Sequence, residues 1–392
     1  MTDTTLQADT VIIGTGMAGI TLARELRKLD GTTSITLITG DDGAVYSKPM
    51  ISNAFAQGKT PQDLVQKSAQ TLAEDLNVEI LTATHVTAIN RDDHTVTTRS
   101  PHGDGVMGYR NLVLAVGAEP RPFTVQGKTA VPFPAVNSLA DYARWREGLI
   151  DGARVLLIGA GLIGVEFAND LAAAGYRVTV VDPAPQPLSR LLPDALGAVM
   201  AEALGGIGVD LRLGRVVSTI VPAPHANTAV LDDGTKIVFD QALSAIGLIA
   251  NTELAAAAGL TVDQGVRVDA HLATSHDHIY ALGDCAQTDA GMLPFILPLM
   301  AQARALAQTL SGTPTPLRLA ALPVAVKTPA LPTVVCPPKP GTPGDWVIDG
   351  TGQDFRALFQ GPDGVPSGFA LTGGETRARQ ALAKDMPDLL TI

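Results

Sequence analysis

Two glycine-rich loops in the same local setting constrain this chain more than any other feature. An apolar run, Asp9–Ile13, leads into Gly14-Thr-Gly-Met-Ala-Gly19, then a helical pattern over 20–29, then a second apolar run, Ser34–Thr39. About 145 residues later the pattern returns: Arg154–Ile158, Gly159-Ala-Gly-Leu-Ile-Gly164, a helical stretch over 165–174, and Tyr176–Asp182. Strand, loop, helix and strand in this order open a dinucleotide-binding fold. The first glycine of each loop makes a tight turn, the second lets backbone approach a pyrophosphate, and the third lets helix pack on strand. The backbone N–H groups and positive helix end then face the phosphates. One such loop is weak evidence, whereas two in full context are strong. Gly14, Gly16, Met17, Ala18 and Gly19 are candidate contacts of one nucleotide, and Gly159, Gly161, Ile163 and Gly164 of a second. The chain carries an internal duplication.

A length of 392 residues suits two or three domains. Hydrophobic residues reach 46% and charged ones 17%, a globular balance rather than a disordered one. The net charge of −11 argues against nucleic acid or an anionic membrane as the main partner. The most apolar stretch, 291–310, is interrupted by Pro294, Pro298, Gln302, Arg304 and Gln308, so no membrane insertion is expected. The polar start, Met1–Asp9, and two cysteines, Cys285 and Cys336, point to a reducing, cytoplasmic setting. Both cysteines read as small packed residues. His276 and His278 read as surface residues, and no metal site is expected.

The acid that should hold a ribose hydroxyl lies about 20 residues past each loop. In the second unit it is Asp182. A carboxylate there repels a 2′-phosphate, favouring NADH over NADPH. In the first unit the strand ends Thr39-Gly-Asp-Asp42, and Asp41 is chosen, with a solvated loop acid as the plainer alternative. Strands are also expected at Val78–Leu81, Val86–Ile89, Leu112–Val116, Ala242–Ile246 and Ile279–Leu282. A helix is expected from about Leu299 to Leu310. A proline-rich crossover runs to Pro134. The tail from 316 has strands, a hairpin turning at Gly361-Pro-Asp-Gly364 and a short helix over 375–384.

These two units, with Leu112-Val-Leu-Ala-Val-Gly-Ala118 between them and Tyr280-Ala-Leu-Gly-Asp284 after them, resemble the pyridine nucleotide-disulfide oxidoreductase superfamily. The resemblance implies an α/β fold of two three-layer Rossmann-like domains plus a small α+β C-terminal domain. The FAD-binding domain would comprise 1–120 and 248–315, the NAD(P)H-binding domain 121–247, and the C-terminal domain 316–392. It implies FAD on the first unit and NADH on the second, with Asp284 after Gly283 on the ribityl–pyrophosphate part. Val86, Ala115, Gly117, Arg121 and Gly247 join the expected cofactor contacts.

Disulfide reductases of this superfamily carry redox cysteines after the first unit. Here that stretch reads Tyr46-Ser-Lys-Pro-Met-Ile-Ser52, so a thiol relay at that position is excluded. Tyr-Ser-Lys-Pro-Met is similar to a segment of ferredoxin and putidaredoxin reductases, and more closely to rubredoxin reductases. Gly40-Asp-Asp-Gly-Ala-Val-Tyr-Ser-Lys-Pro49, Pro298-Leu-Met-Ala-Gln-Ala-Arg304 and Val326-Lys-Thr-Pro329 extend the likeness. It implies catalytic roles for Lys48, Glu166 and Lys327, with Pro49 beside them. Lys48 is expected near the flavin edge, paired with Glu166. Lys327, or the helix near Leu299, is expected to balance the charge of reduced flavin. Each also has an ordinary reading, as an exposed lysine or a first-turn helix acid. Ferredoxin reductases often carry a lysine where this chain has Asn53, so that role does not transfer.

The expected reaction moves a hydride from NADH to FAD, then two single electrons to rubredoxin, for an alkane hydroxylase or similar system. Reduction of a [2Fe–2S] ferredoxin is one alternative, and a flavin-binding sensor or scaffold another. The short tail leaves the oligomeric state unread, with a monomer preferred.

Overall fold

The computed structural model describes residues 6–125, 133–224, 226–339 and 341–390. The expected crossover to Pro134 lies partly outside them. The first sheet runs in the order Glu79–Leu81, Ile35–Ile38, Leu6–Ile13, Gly103–Leu114, Thr95–Ser100, His85–Asn90. Its organising element is the long strand Gly103–Leu114. Residues 103–108 of this strand pair antiparallel with Thr95–Ser100, while residues 112–114 pair parallel with Ile279–Ala281. That second pairing returns the chain to the first sheet after the second unit is complete. The parallel strands are apolar on both faces because helices cover both. Val11, Ile12, Leu37, Leu112 and Val113 are fully buried.

The second unit repeats the first at the level of single hydrogen bonds. Its parallel sheet runs Asp210–Leu213, Arg177–Asp182, Arg154–Ile158, Gln241–Ser244. Gly14 N–H donates to the Ile38 carbonyl at 2.8 Å, and Gly159 N–H donates to the Val181 carbonyl at 2.9 Å. A three-stranded antiparallel meander, Val217–Val221, Asn227–Leu231 and Lys236–Phe239, covers one face. The two chain crossings between the units are tied together, since Ala118–Pro120 pairs antiparallel with Leu248–Ala250.

The tail forms an antiparallel sheet in the order Val324–Val326, Thr333–Cys336, Pro366–Thr372, Asp354–Gln360, Asp345–Thr351. Its hairpin closes at Gly361–Gly364, where Gly364 N–H donates to the Gly361 carbonyl at 2.9 Å and Gly364 adopts φ +74°. Two helix boundaries differ from the sequence expectation. The last long helix starts at Ile296 rather than near Leu299. Pro298 falls in its first turn, where an N–H has no intrahelical partner to lose. The final helix is a 3-10 turn, Gly373–Ala378, followed by Arg379–Asp385. Asp354 accepts from Gly374 N–H at 2.6 Å and holds that turn.

Candidate active site

The three glycines of each loop face different surroundings. A Cβ at Gly14 would stand 2.3 Å from the Ala115 carbonyl oxygen, and one at Gly19 2.0 Å from that of Gly14. A Cβ at Gly159 would meet the Ala245 carbonyl oxygen at 2.6 Å, and one at Gly164 that of Gly159 at 2.0 Å. Gly16 and Gly161 instead face nothing within 4 Å. The first and third glycines are required by packing, and the middle one borders open space. Gly16 and Gly161 are also the N-caps of Met17–Leu29 and Leu162–Ala173, and neither helix has a side-chain cap or an acid in its first turn. These uncapped positive ends suit two anions. Among the loop positions Ala18 is buried, Met17 half-buried and Ile163 exposed.

Gly283 brings the third motif to the first loop. It adopts φ +77°, and a Cβ there would meet the Ala18 methyl at 2.8 Å. Its N–H donates to Gln302 Oε1 at 2.7 Å, a side chain 1% exposed. Asp284 follows, facing Lys48. Burial pushes Asp284 up and Lys48 pulls it back. Burial pushes Lys48 down, while Asp284, Glu119 and Asp141 pull it up. No ion pair within 4 Å joins them among the described residues. Both side chains are half-buried, so the two opposite charges face each other without bonding directly.

Lys48 and Glu166 do not pair, contrary to the sequence expectation. Glu166, 1% exposed on the helix Leu162–Ala173, takes Lys327 instead, with Nζ 2.5 Å from Oε2. Lys327 Nζ also donates to Ser52 Oγ at 2.7 Å and the Pro49 carbonyl at 2.6 Å. Ser52 Oγ lies 2.7 Å from Glu166 Oε2, and Lys327 N–H donates to Oε1 at 3.0 Å. The cause is topological. The strand Val324–Val326 delivers Lys327 over the helix face carrying Glu166, whereas Lys48 leaves the same 3-10 segment, Lys48–Asn53, towards Asp284. An ammonium has three donors, and all three of Lys327 are engaged. Its charge is balanced by Glu166. Lys48, among the described residues, has no hydrogen-bond or ion-pair partner at close range.

Asp182 is built into its loop, accepting from Ala160 N–H at 2.6 Å and Ala184 N–H at 2.7 Å. Asp41 closes a turn: its Oδ1 accepts from Thr39 Oγ1 at 2.6 Å and Gly43 N–H at 2.9 Å. Val86 lies at the same corner, where Thr84 N–H donates to the Thr39 carbonyl at 2.8 Å. Ala115 packs under Gly14. Arg121, exposed, donates its N–H to the Gly247 carbonyl at 2.9 Å, close to Gly117 at the domain crossing. Cys285 and Cys336 are buried in separate cores, and burial pushes both thiols up to about 11. Neither is poised to react at neutral pH. His278 is exposed and its ring leans on His94. Among the described residues no group of three metal-ligating side chains assembles.

Sequence reasoning missed Ser52, Asn169, Asp170 and Gln302. Each is a buried polar residue in an apolar setting, and that pattern was the available signal.

Comparison with known proteins fits this arrangement. Residues 8–308 match the pyridine nucleotide-disulphide oxidoreductase family, and residues 316–386 match the rubredoxin binding C-terminal domain. A rubredoxin-NAD(+) reductase of Alcanivorax borkumensis is 40% identical, covering 97% of this chain and 99% of that protein. A nitric oxide reductase FlRd-NAD(+) reductase of Vibrio vulnificus is 36% identical over 93% of this chain and 94% of its own length. Putidaredoxin reductase, solved in covalent complex with putidaredoxin, superimposes with a TM-score of 0.86 at 28% identity, over 97% of this chain and 94% of that one. With two glycine loops in strand–loop–helix units, an aspartate-bearing return strand and a family match over residues 8–308, this chain belongs to the pyridine nucleotide-disulphide oxidoreductase family.

Proposed function

We propose that the chain is an FAD-dependent reductase that oxidises NADH and reduces rubredoxin. One observation carries the reading: the sheet matched as a rubredoxin-binding domain sends Lys327 into the buried network of Glu166 and Ser52. The domain suited to the acceptor is thus wired to the nucleotide-binding helix. When bound, FAD supplies the conversion between a two-electron donor and a one-electron acceptor.

The chain's residues do the rest. Gly14, Gly16 and Gly19, with the uncapped end of Met17–Leu29, hold one pyrophosphate, and Asp284 takes the adjoining hydroxyls. Asp41 and Val86 border the far end of that nucleotide. Gly159, Gly161, Gly164 and the end of Leu162–Ala173 hold the pyrophosphate of NADH. Asp182, its carboxylate fixed by two backbone N–H groups, keeps lone pairs for a ribose diol and repels a 2′-phosphate. Lys48 is the cation available to offset negative charge on the reduced site. Glu166, Ser52 and Lys327 fix the wall between the nucleotides and the C-terminal sheet. Cys285 and Cys336, as separate free thiols, fit a reducing compartment, the cytoplasm. Among the described residues no helix is long and apolar enough to cross a membrane.

The test is anaerobic titration of the purified yellow protein with NADH and NADPH. Bleaching by NADH at much lower concentration than NADPH is expected. A protein that binds no flavin, or that neither nucleotide bleaches, would refute the reading.

A further inference from the structure

Apart from the 3-10 turn Lys48–Asn53, the segment 47–59 is held by backbone bonds of its own only at Met50 N–H to Ser47, Gly58 N–H to Phe55 and Lys59 N–H to Ala54, and no strand pairs with it among the described residues. Yet it carries Lys48, Pro49 and Ser52. Its position must come from outside. Two adjacent N–H groups on it, those of Phe55 and Ala56, donate to Asp170 Oδ2 and Oδ1, each at 2.9 Å. Asp170 is 2% exposed and has no cation within 4 Å among the described residues. A buried carboxylate without an ion pair is costly, and a packed apolar residue there is the cheaper solution for stability alone. Burial pushes Asp170 up, while the two N–H groups, and more distantly Lys327 and Arg146, pull it down.

We propose that Asp170 is a positioning residue for NADH oxidation. It locks segment 47–59 onto the helix that carries the NADH loop, and so sets where Lys48 stands. The inference rests on the reading of the chain as an NADH-oxidising flavoprotein. The geometry is direct. Asp170 lies one turn past Glu166 on Leu162–Ala173, and Glu166 accepts from Ser52 on the same segment. Phe55, between these anchors, sits edge-on to Tyr142, Trp145 and Tyr176 at 5.4, 5.9 and 5.6 Å, and Arg146 lies 4.6 Å from its ring. All four belong to the NADH-side unit. The first-unit segment is therefore clamped to the second unit at its root while Lys48 reaches towards Asp284 at its tip.

An amide cannot replace this carboxylate. Asn keeps one acceptor for one N–H but turns its NH2 against the other. Asp170→Asn should keep its flavin and hold the NADH concentration for half-maximal reduction within about twofold, since 159–164 is untouched. The limiting rate of flavin bleaching should fall roughly 10- to 100-fold, the usual cost of misplacing a reacting group by about 1 Å. The control is Asp240→Asn, which breaks the Arg154 pair in the same unit and makes no hydrogen bond or ion pair with segment 47–59 among the described residues. It should lower thermal stability without changing the limiting rate. An unchanged rate in Asp170→Asn, or an equal fall in Asp240→Asn, would overturn the proposal. Should Asp170→Asn not accumulate with flavin, Asp170→Glu carries the test. It keeps both acceptor oxygens but moves them by one methylene, and an unchanged limiting rate there would also overturn the proposal. Wild-type protein that NADH does not bleach would instead sink the functional reading beneath it.

Discussion

At the residue scale, the buried charges decide most of what the site can do. Glu166 is buried, so removing its cation leaves a carboxylate held only by Ser52 Oγ and a backbone N–H. Lys327→Met should cost about 3 kcal/mol of stability. Glu166→Gln added to Lys327→Met should cost less than the sum of the single changes, and chemical denaturation of all four proteins measures the coupling. Lys48 is different, because it makes no hydrogen bond or ion pair within 4 Å among the described residues and its loss removes only a distant charge from Asp284. Lys48→Met should fold normally and slow flavin reduction or acceptor reduction about tenfold, near 1.4 kcal/mol. Stopped-flow traces for both half-reactions check this, and unchanged rates in both would remove Lys48 from the site. The cysteines give a pH statement with a clear sign. With both thiols pushed up to about 11, thiolate is scarce until well above neutral pH. A chromogenic disulfide reagent should therefore label neither in the native protein at pH 8, and both after denaturation.

At the scale of elements, the two glycine loops make separable predictions. A methyl at Gly164 collides with backbone, so Gly164→Ala should destabilise the second unit. A side chain at Gly161 meets only open space, so Gly161→Val should leave folding and flavin content intact while raising the NADH KM by tenfold or more. Circular dichroism and NADH kinetics distinguish these outcomes, and equal effects of both changes would contradict the division of roles. The loops, their strands and the Gly-Asp turn were legible in the sequence because each is a local pattern: a period, a glycine spacing, an apolar run. The helix start at Ile296 was less legible than the loops, because Pro298 in its first turn carries no breaking power there. The Lys327–Glu166 pair was not legible at all as a pair. Its partners are 161 residues apart, and only the crossing of the C-terminal sheet over Leu162–Ala173 joins them. The expected Lys48–Glu166 pair fails for the same reason: the ammonium that reaches Glu166 comes from the C-terminal sheet.

At the scale of the whole molecule, the C-terminal sheet is not a detachable docking module. Lys327 on Glu166, and Ala330 N–H on Asn169 Oδ1 at 3.0 Å, are made across the boundary between the sheet and the second unit. A chain ending at 315 should consequently lose flavin and stability as well as reactivity with the acceptor. The fold class was evident from the duplication alone, but the acceptor was not. Cofactor motifs are shared by reductases of rubredoxin and of [2Fe–2S] ferredoxins, and what separates them is the surface offered to a partner. The net charge of −11 makes long-range attraction of an acidic partner unavailable to the molecule as a whole, so recognition must rest on a local surface with a modest, salt-sensitive contribution. The most direct test follows the loss of visible colour of oxidised rubredoxin, and in parallel of a [2Fe–2S] ferredoxin, with NADH and the purified enzyme. Fast turnover with rubredoxin and little with ferredoxin is the predicted result; the reverse preference would contradict the account.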